Sequence, residues 1–168
     1  DRFPQDVVEL QALLSPVEPG QTVQAFPGAG TNVPIWILGS SLFGAELAAA
    51  LGLPFAFASH FAPALMMEAI DVYRRGFRPS VRLDRPRLML GVNAVCADSD
   101  DEADLLLTSL QQAFVNLRSG QPSRLPPPLP GYAQRLPPQY AAMLDGVLAC
   151  AAVGAPDTVR ARLEELVA

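Results

Sequence analysis

The stretch Ile35-Trp-Ile-Leu-Gly-Ser-Ser-Leu-Phe-Gly-Ala-Glu-Leu-Ala-Ala-Ala-Leu-Gly-Leu-Pro-Phe-Ala-Phe-Ala-Ser59 decides the fold. It reads as strand, turn, helix, strand. Residues 34–38 are short, apolar and rich in β-formers, with breakers on both sides. Gly39-Ser40-Ser41 turns the chain. Leu42–Leu51 is rich in Ala and Leu, which favour helix, and Gly52 stands where a left-handed residue ends one. Residues 53–58 return to strand. Both strands are unbroken apolar runs, as expected where helices cover both faces of a parallel sheet.

The alternation continues on either side. Residues 4–14 carry Val7, Leu10, Leu13 and Leu14 at helical spacing; Pro4 suits the first turn and Pro16 ends the helix. An irregular Pro- and Gly-containing connection over 18–34 follows, with a short strand expected at 22–26. Downstream, the pattern predicts a helix over 63–75, a strand over 87–97 and a long helix over 100–117 capped by Asp98 or Ser99. A Pro-rich loop over 120–138 leads to an apolar helix over 139–152. Val153-Gly-Ala-Pro156 reads as a turn, and a last helix capped by Asp157 or Thr158 runs to residue 168. Strands near 35–38, 53–58 and 87–97, separated by helices, predict a parallel α/β protein in which residues 1–168 form a single domain. Three strands are too few to close an eight-stranded barrel.

Composition narrows the function. The chain has 168 residues, half of them apolar, which is enough for a real core. The net charge is −5 and all 12 basic residues are Arg, so no dense basic face for nucleic acid is expected. No apolar run reaches the roughly 18 to 20 residues of a membrane helix. No basic-then-apolar leader opens the chain, and the expected compartment is the cytoplasm. The single histidine, His60, excludes a His-rich metal centre within this chain. Cys96 and Cys150 lie in apolar stretches and are expected to be buried thiols, with a disulfide as the alternative.

The junction Leu38-Gly39-Ser40-Ser41 is the first candidate site. A helix start presents unpaired N–H groups and the positive end of a dipole, and anions bind there. Gly39 permits close backbone approach, and Ser40 and Ser41 each add a hydroxyl. The junction also follows a strand's C-terminal end, where α/β proteins place their sites. The competing reading makes one serine a plain helix cap. The segment is neither a full Gly-x-Gly-x-x-Gly fingerprint nor a P-loop, whose Lys it lacks.

The segment 35–59 resembles the one that luciferase-like, flavin-dependent monooxygenases carry across the fifth and sixth strands of a (β/α)8 barrel. The likeness continues through Tyr73-Arg74-Arg75-Gly-Phe77-Arg-Pro79-Ser80, then Asn93-Ala-Val-Cys-Ala-Asp98-Ser-Asp100-Asp-Glu102-Ala103, and ends with Val153-Gly154-Ala-Pro156-Asp-Thr158-Val159. The resemblance implies the C-terminal half of a TIM barrel, a reduced FMN supplied by a separate reductase, O2, and a small organic substrate. It implies that Ser41 binds the flavin phosphate with help from Ser40, where light-emitting members carry Glu. Gly44 stands where those members carry a hydroxyl, so light emission is not implied. The family's first four strands hold a phosphate-binding Arg, much of the isoalloxazine pocket and the usual catalytic histidine. By this likeness they would precede Asp1, and the last strand would follow Ala168. The expected object is therefore a fragment that is inactive alone, self-associating through exposed apolar edges. Alternative readings are a non-catalytic flavin-binding or structural relative, and an oxidoreductase using F420. No catalytic residue and no metal are assigned.

Other residues have paired readings. His60 follows a strand; it either meets flavin or substrate as an acid, base or contact, or bonds nearby backbone. Trp36, read as mid-strand, either stacks on a ring or fills the core. Arg74, Arg75, Arg78, Arg82, Arg85 and Arg87 form either an anion-binding patch or a solvated face paired with Asp71 and Asp84. Asp98-Ser-Asp-Asp-Glu102 lacks the Gly and terminal Glu of a calcium loop and fits the acidic first turn of a helix. Arg124-Leu-Pro-Pro-Pro-Leu-Pro130 fits either a polyproline ligand or a partly ordered surface loop. No Cys stands beside a base and no Gly-x-Ser-x-Gly elbow occurs, so hydrolase chemistry has no support.

Overall fold

A computed structural model describes residues 2–60 and 62–167. Helix α1 (Phe3–Leu14) leads to strand β1 (Ile37–Gly39), α2 (Leu42–Leu51) and β2 (Phe55–Phe57). A 3-10 turn (Pro63–Leu65) opens into α3 (Met66–Gly76), followed by β3 (Leu88–Leu90), β4 (Ala94–Cys96) and α4 (Asp100–Arg118). A second 3-10 turn (Ala133–Arg135) precedes α5 (Pro138–Val147), β5 (Ala152–Gly154) and α6 (Pro156–Val167). Strand order is β1-β2-β3 in one sheet and β4-β5 in another. The chain forms two compact units, one running to Ala56 and including Glu68–Met89, the other made of Phe57–Met67 and the chain from Leu90 onward.

In the first unit α2 lies close against β1 because glycine and alanine line the contact. A Cβ on Gly44 would stand 3.4 Å from the Phe55 ring and 3.7 Å from Gly39 Cα. Ala45, Ala48 and Ala49 are buried along the same helix. Gly52 ends it at φ +60°, the left-handed cap expected from its position. The fully buried Tyr73 ties the strand starts together. Its hydroxyl donates to the Leu53 carbonyl at 2.9 Å and accepts from the Arg87 N–H at 3.0 Å. The Phe55 N–H donates to the Arg87 carbonyl at 3.0 Å.

In the second unit β4 and β5 pair in parallel, with Ala94, Val95 and Cys96 opposite Ala152, Val153 and Gly154. Ser99 caps α4 by accepting the Glu102 N–H at 3.2 Å. The acidic run therefore fills the first turn of that helix. The Pro-rich loop is held to α4 at two points: Leu129 N–H donates to Thr108 Oγ1 at 2.8 Å, and Gln112 Nε2 donates to the Pro127 carbonyl at 2.9 Å.

Five expectations are corrected. The single strand over 87–97 is two strands of different sheets, parted at Gly91-Val92-Asn93. Residues 152–154 form β5, where a helix end and a turn are expected; its run is too short to carry a period, and only its partner 58 positions away, β4, makes it a strand. The residues 22–26 form no strand. Cys96 is exposed while Cys150 is buried, and both are free thiols. Cys96 lies on a strand with exposed outer positions, so its apolar neighbours in sequence do not bury it. Of the two carboxylates expected to pair with the Arg cluster, Asp71 takes Arg75 at 3.0 Å, and no ion pair with Asp84 forms among the described residues.

Asp100 gives a pH prediction. Its carboxylate accepts the Ala155 N–H at 2.6 Å and a bond from the Thr158 hydroxyl, and these hold its pKa below the ordinary carboxylate value. A depressed folded-state pKa contributes stability that is complete above the unfolded value and is lost as pH falls through the folded one. Urea midpoints measured from pH 6 down to pH 2 should therefore fall less steeply for Asp100→Asn than for the wild type below about pH 4. Parallel acid limbs would show that these bonds carry no linkage.

Candidate functional site

The turn after β1 keeps the geometry of an open helix start. Gly39 is the last residue of β1, Ser40 is half-buried and Ser41 is exposed. Ser41 is the N-cap of α2 with extended backbone angles (φ −137°, ψ 166°), the conformation a capping serine adopts. Yet its side chain makes no cap hydrogen bond. Among the described residues, then, the Ser41 hydroxyl does not act as a plain helix cap.

Electrostatics agree. Helices α1, α3, α4 and α6 each place an acidic residue in the first turn; α2 and α5 have none. Nothing there offsets the positive dipole end, which favours an anion. Gly44, one turn in, is buried against Phe55 and Gly39. A Cβ there would meet Phe55, Gly39 and Ile37 at ordinary contact distances, 3.4 to 3.9 Å.

His60 follows β2 and belongs to the second unit, whereas Gly39, Ser40 and Ser41 belong to the first. It is half-buried. Asn93 Nδ2 donates to its backbone carbonyl. The preceding Ser59 is fully buried and donates from Oγ to the Gly91 carbonyl at 2.8 Å, while the Gly91 N–H donates to the Phe57 carbonyl at 3.0 Å. A Cβ on Gly91 would collide with His60 Nδ1. Gly91 and Asn93 thus fix where His60 sits, and reading 87–97 as one strand missed them. The signal was present: a glycine inside a strand pattern marks an interruption or a close approach.

Trp36 is not mid-strand. It directly precedes β1, is half-buried, and lines a cleft of about 550 Å³.

Comparison with known proteins places the chain. A profile of luciferase-like monooxygenases matches residues 7–168. A protein of Escherichia coli (strain K12) named "Luciferase-like monooxygenase" is 45% identical over 166 residues, which make up 99% of this chain and 50% of that protein. YvbT of Bacillus subtilis (strain 168) is 44% identical over 166 residues, 98% of this chain and 49% of its own length. Among solved structures, apo-MsnO8 superposes with a TM-score of 0.80 at 30% identity, covering 99% of this chain and 51% of the other. The coenzyme F420 dependent tetrahydromethanopterin reductase of Methanopyrus kandleri gives 0.54 at 16% identity, covering 97% and 53%, and shares the fold. The chain spans about half the length of the curated relatives it matches. Its parallel α/β organisation and this run of matches agree, and the chain belongs to the luciferase-like monooxygenase family.

Proposed function

We propose that this chain is the C-terminal portion of a (β/α)8-barrel monooxygenase that uses reduced FMN and O2 on a small organic substrate, and that it supplies the cradle for the flavin phosphate. The observation that carries the reading is Ser41: an N-cap serine in capping geometry that caps nothing, exposed at a helix start without acidic neighbours in its first turn. Ser40 and Ser41 hydroxyls and the first amides of α2 would donate to the phosphate; Gly39 would let the backbone come close. When bound, the reduced flavin supplies the electrons that activate O2, delivered by a separate reductase. The chain's own part is to bind and orient. His60, set by Gly91 and Asn93, is proposed separately as a contact or proton carrier toward cofactor or substrate.

The test compares FMN with riboflavin, which lacks the phosphate, by titration of the protein followed in flavin fluorescence. A hydrogen bond to a charged group is worth about 1.5–3 kcal/mol, so FMN should bind roughly 10- to 100-fold more tightly. Ser41→Asp should erase that preference and leave riboflavin affinity unchanged, because it sets a carboxylate against the phosphate. Equal FMN preference in Ser41→Asp and wild type would end the reading.

A second reading replaces FMN with F420, favoured at the level of fold by the Methanopyrus kandleri reductase. Titration with F420 beside FMN, read by absorbance, separates the two.

A further inference from the structure

The cleft at the opposite end of β1 from Ser41 has a chemistry of its own. Trp36, Pro54 and Arg87 line it, and each directly precedes a strand, β1, β2 and β3 respectively. Leu53 and Arg82 complete the part that matters, and among the described residues no Asp or Glu lines the cleft. All of these residues belong to the first unit.

Among the described residues, no carboxylate pairs with either guanidinium group. Arg82 is half-buried and held by neutral acceptors: its Nη2 donates to Ser15 Oγ at 2.6 Å and to the Gln11 carbonyl at 3.2 Å. Ser15 in turn donates to the same Gln11 carbonyl at 2.7 Å, so the acceptor side is fixed. Arg87 is exposed, and neither arginine forms an ion pair among the described residues. Trp36, Leu53 and Pro54 line the same cleft. A volume of about 550 Å³ suits a small molecule. Arginine pairs with carboxylates through its planar fork, and aromatic side chains take flat apolar bodies.

We propose that this cleft binds a small aromatic carboxylate, its carboxylate facing Arg82 and Arg87 and its ring against Trp36. The site is independent of the phosphate cradle.

Trp36 is the chain's only tryptophan, so its fluorescence reports on this cleft alone. The probe is p-nitrobenzoate, which quenches indole, set against p-nitrobenzamide, its neutral counterpart. The acid should quench Trp36 saturably and bind about tenfold or more tightly than the amide, as loss of one charged pairing implies. Arg87→Gln should weaken the acid about tenfold and leave the amide unchanged; among the described residues the exposed Arg87 side chain makes no ion pair whose loss would disturb the fold. Arg75→Gln, on α3 and outside the cleft, and Ser41→Asp, in the cradle, should leave acid binding at the wild-type value. Quenching that rises linearly without saturation, equal binding of acid and amide, or undiminished acid binding by Arg87→Gln would each overturn the proposal. Loss of acid binding in Ser41→Asp would show instead that the acid reports on the phosphate cradle.

Discussion

Gly52→Ala is expected to cost about 3 kcal/mol of stability in urea unfolding, against about 1 kcal/mol for Gly120→Ala. Both glycines have positive φ, +60° and +75°. An alanine in the left-handed region loses roughly 1–2 kcal/mol at either place. The surroundings differ. Nothing lies within 4 Å of a Cβ on Gly120. A Cβ on Gly52 would collide with the Arg78 carbonyl and come within 2.6 Å of Ser80 Cβ. These neighbours cannot step aside cheaply. The Arg78 N–H donates to the Ala49 carbonyl at 3.0 Å, and Ser80 Oγ donates to the Gly52 carbonyl at 2.9 Å while accepting from the Arg82 and Leu83 N–H groups at 3.1 and 3.2 Å. Overpacking of this kind costs roughly 1–3 kcal/mol beyond the strain. Equal losses at the two glycines would show that backbone strain alone decides, and that the 78–83 loop yields.

Gly52 also shows what a sequence can carry by itself. A glycine directly after an Ala- and Leu-rich run is a local signal, and both α2 and its left-handed end could be read from it. Ser99 three residues before Glu102 is likewise local, and the start of α4 follows from it. What could not be read depends on partners far along the chain. Ala152-Val-Gly154 becomes a strand because β4 lies beside it, and nothing in three small residues says so. The break at Gly91 is legible only as an odd glycine; that it makes room for the His60 ring needs the third dimension. The same holds for the candidate cradle. The order strand, Gly-Ser-Ser, helix marks the place, but capping and anion-binding serines share residue type, position and backbone angles. Only the direction of the Ser41 hydroxyl separates them, and that is a side-chain torsion on which the sequence is silent.

Tyr73→Ala should lose about 4 kcal/mol, and Tyr73→Phe about 2 kcal/mol. The ring is fully buried, tilted against Phe55 with centroids 5.5 Å apart and edge-on to Phe77 at 5.7 Å. Truncating it opens a cavity beneath the starts of β2 and β3. The phenylalanine variant keeps the ring and removes only the hydroxyl, leaving the Leu53 carbonyl without its donor and the Arg87 N–H without its acceptor. A buried group left unpaired costs roughly 1–3 kcal/mol, more than the bond itself contributes. An unchanged urea midpoint for Tyr73→Phe would mean that water reaches both groups. Alkaline pH offers an independent check. Burial pushes the Tyr73 hydroxyl above its usual value of 10.0, an effect only partly opposed by the bond from Arg87. A raised folded-state pKa means a contribution that is whole below the unfolded pKa and lost as pH rises beyond it. The wild type should therefore lose stability more steeply than Tyr73→Phe above about pH 10, and the gap between them should narrow there. A gap that stays constant to the end of the alkaline range would show that Tyr73 ionises as easily folded as unfolded, and the dry hydroxyl bridging two strand starts would have to be abandoned.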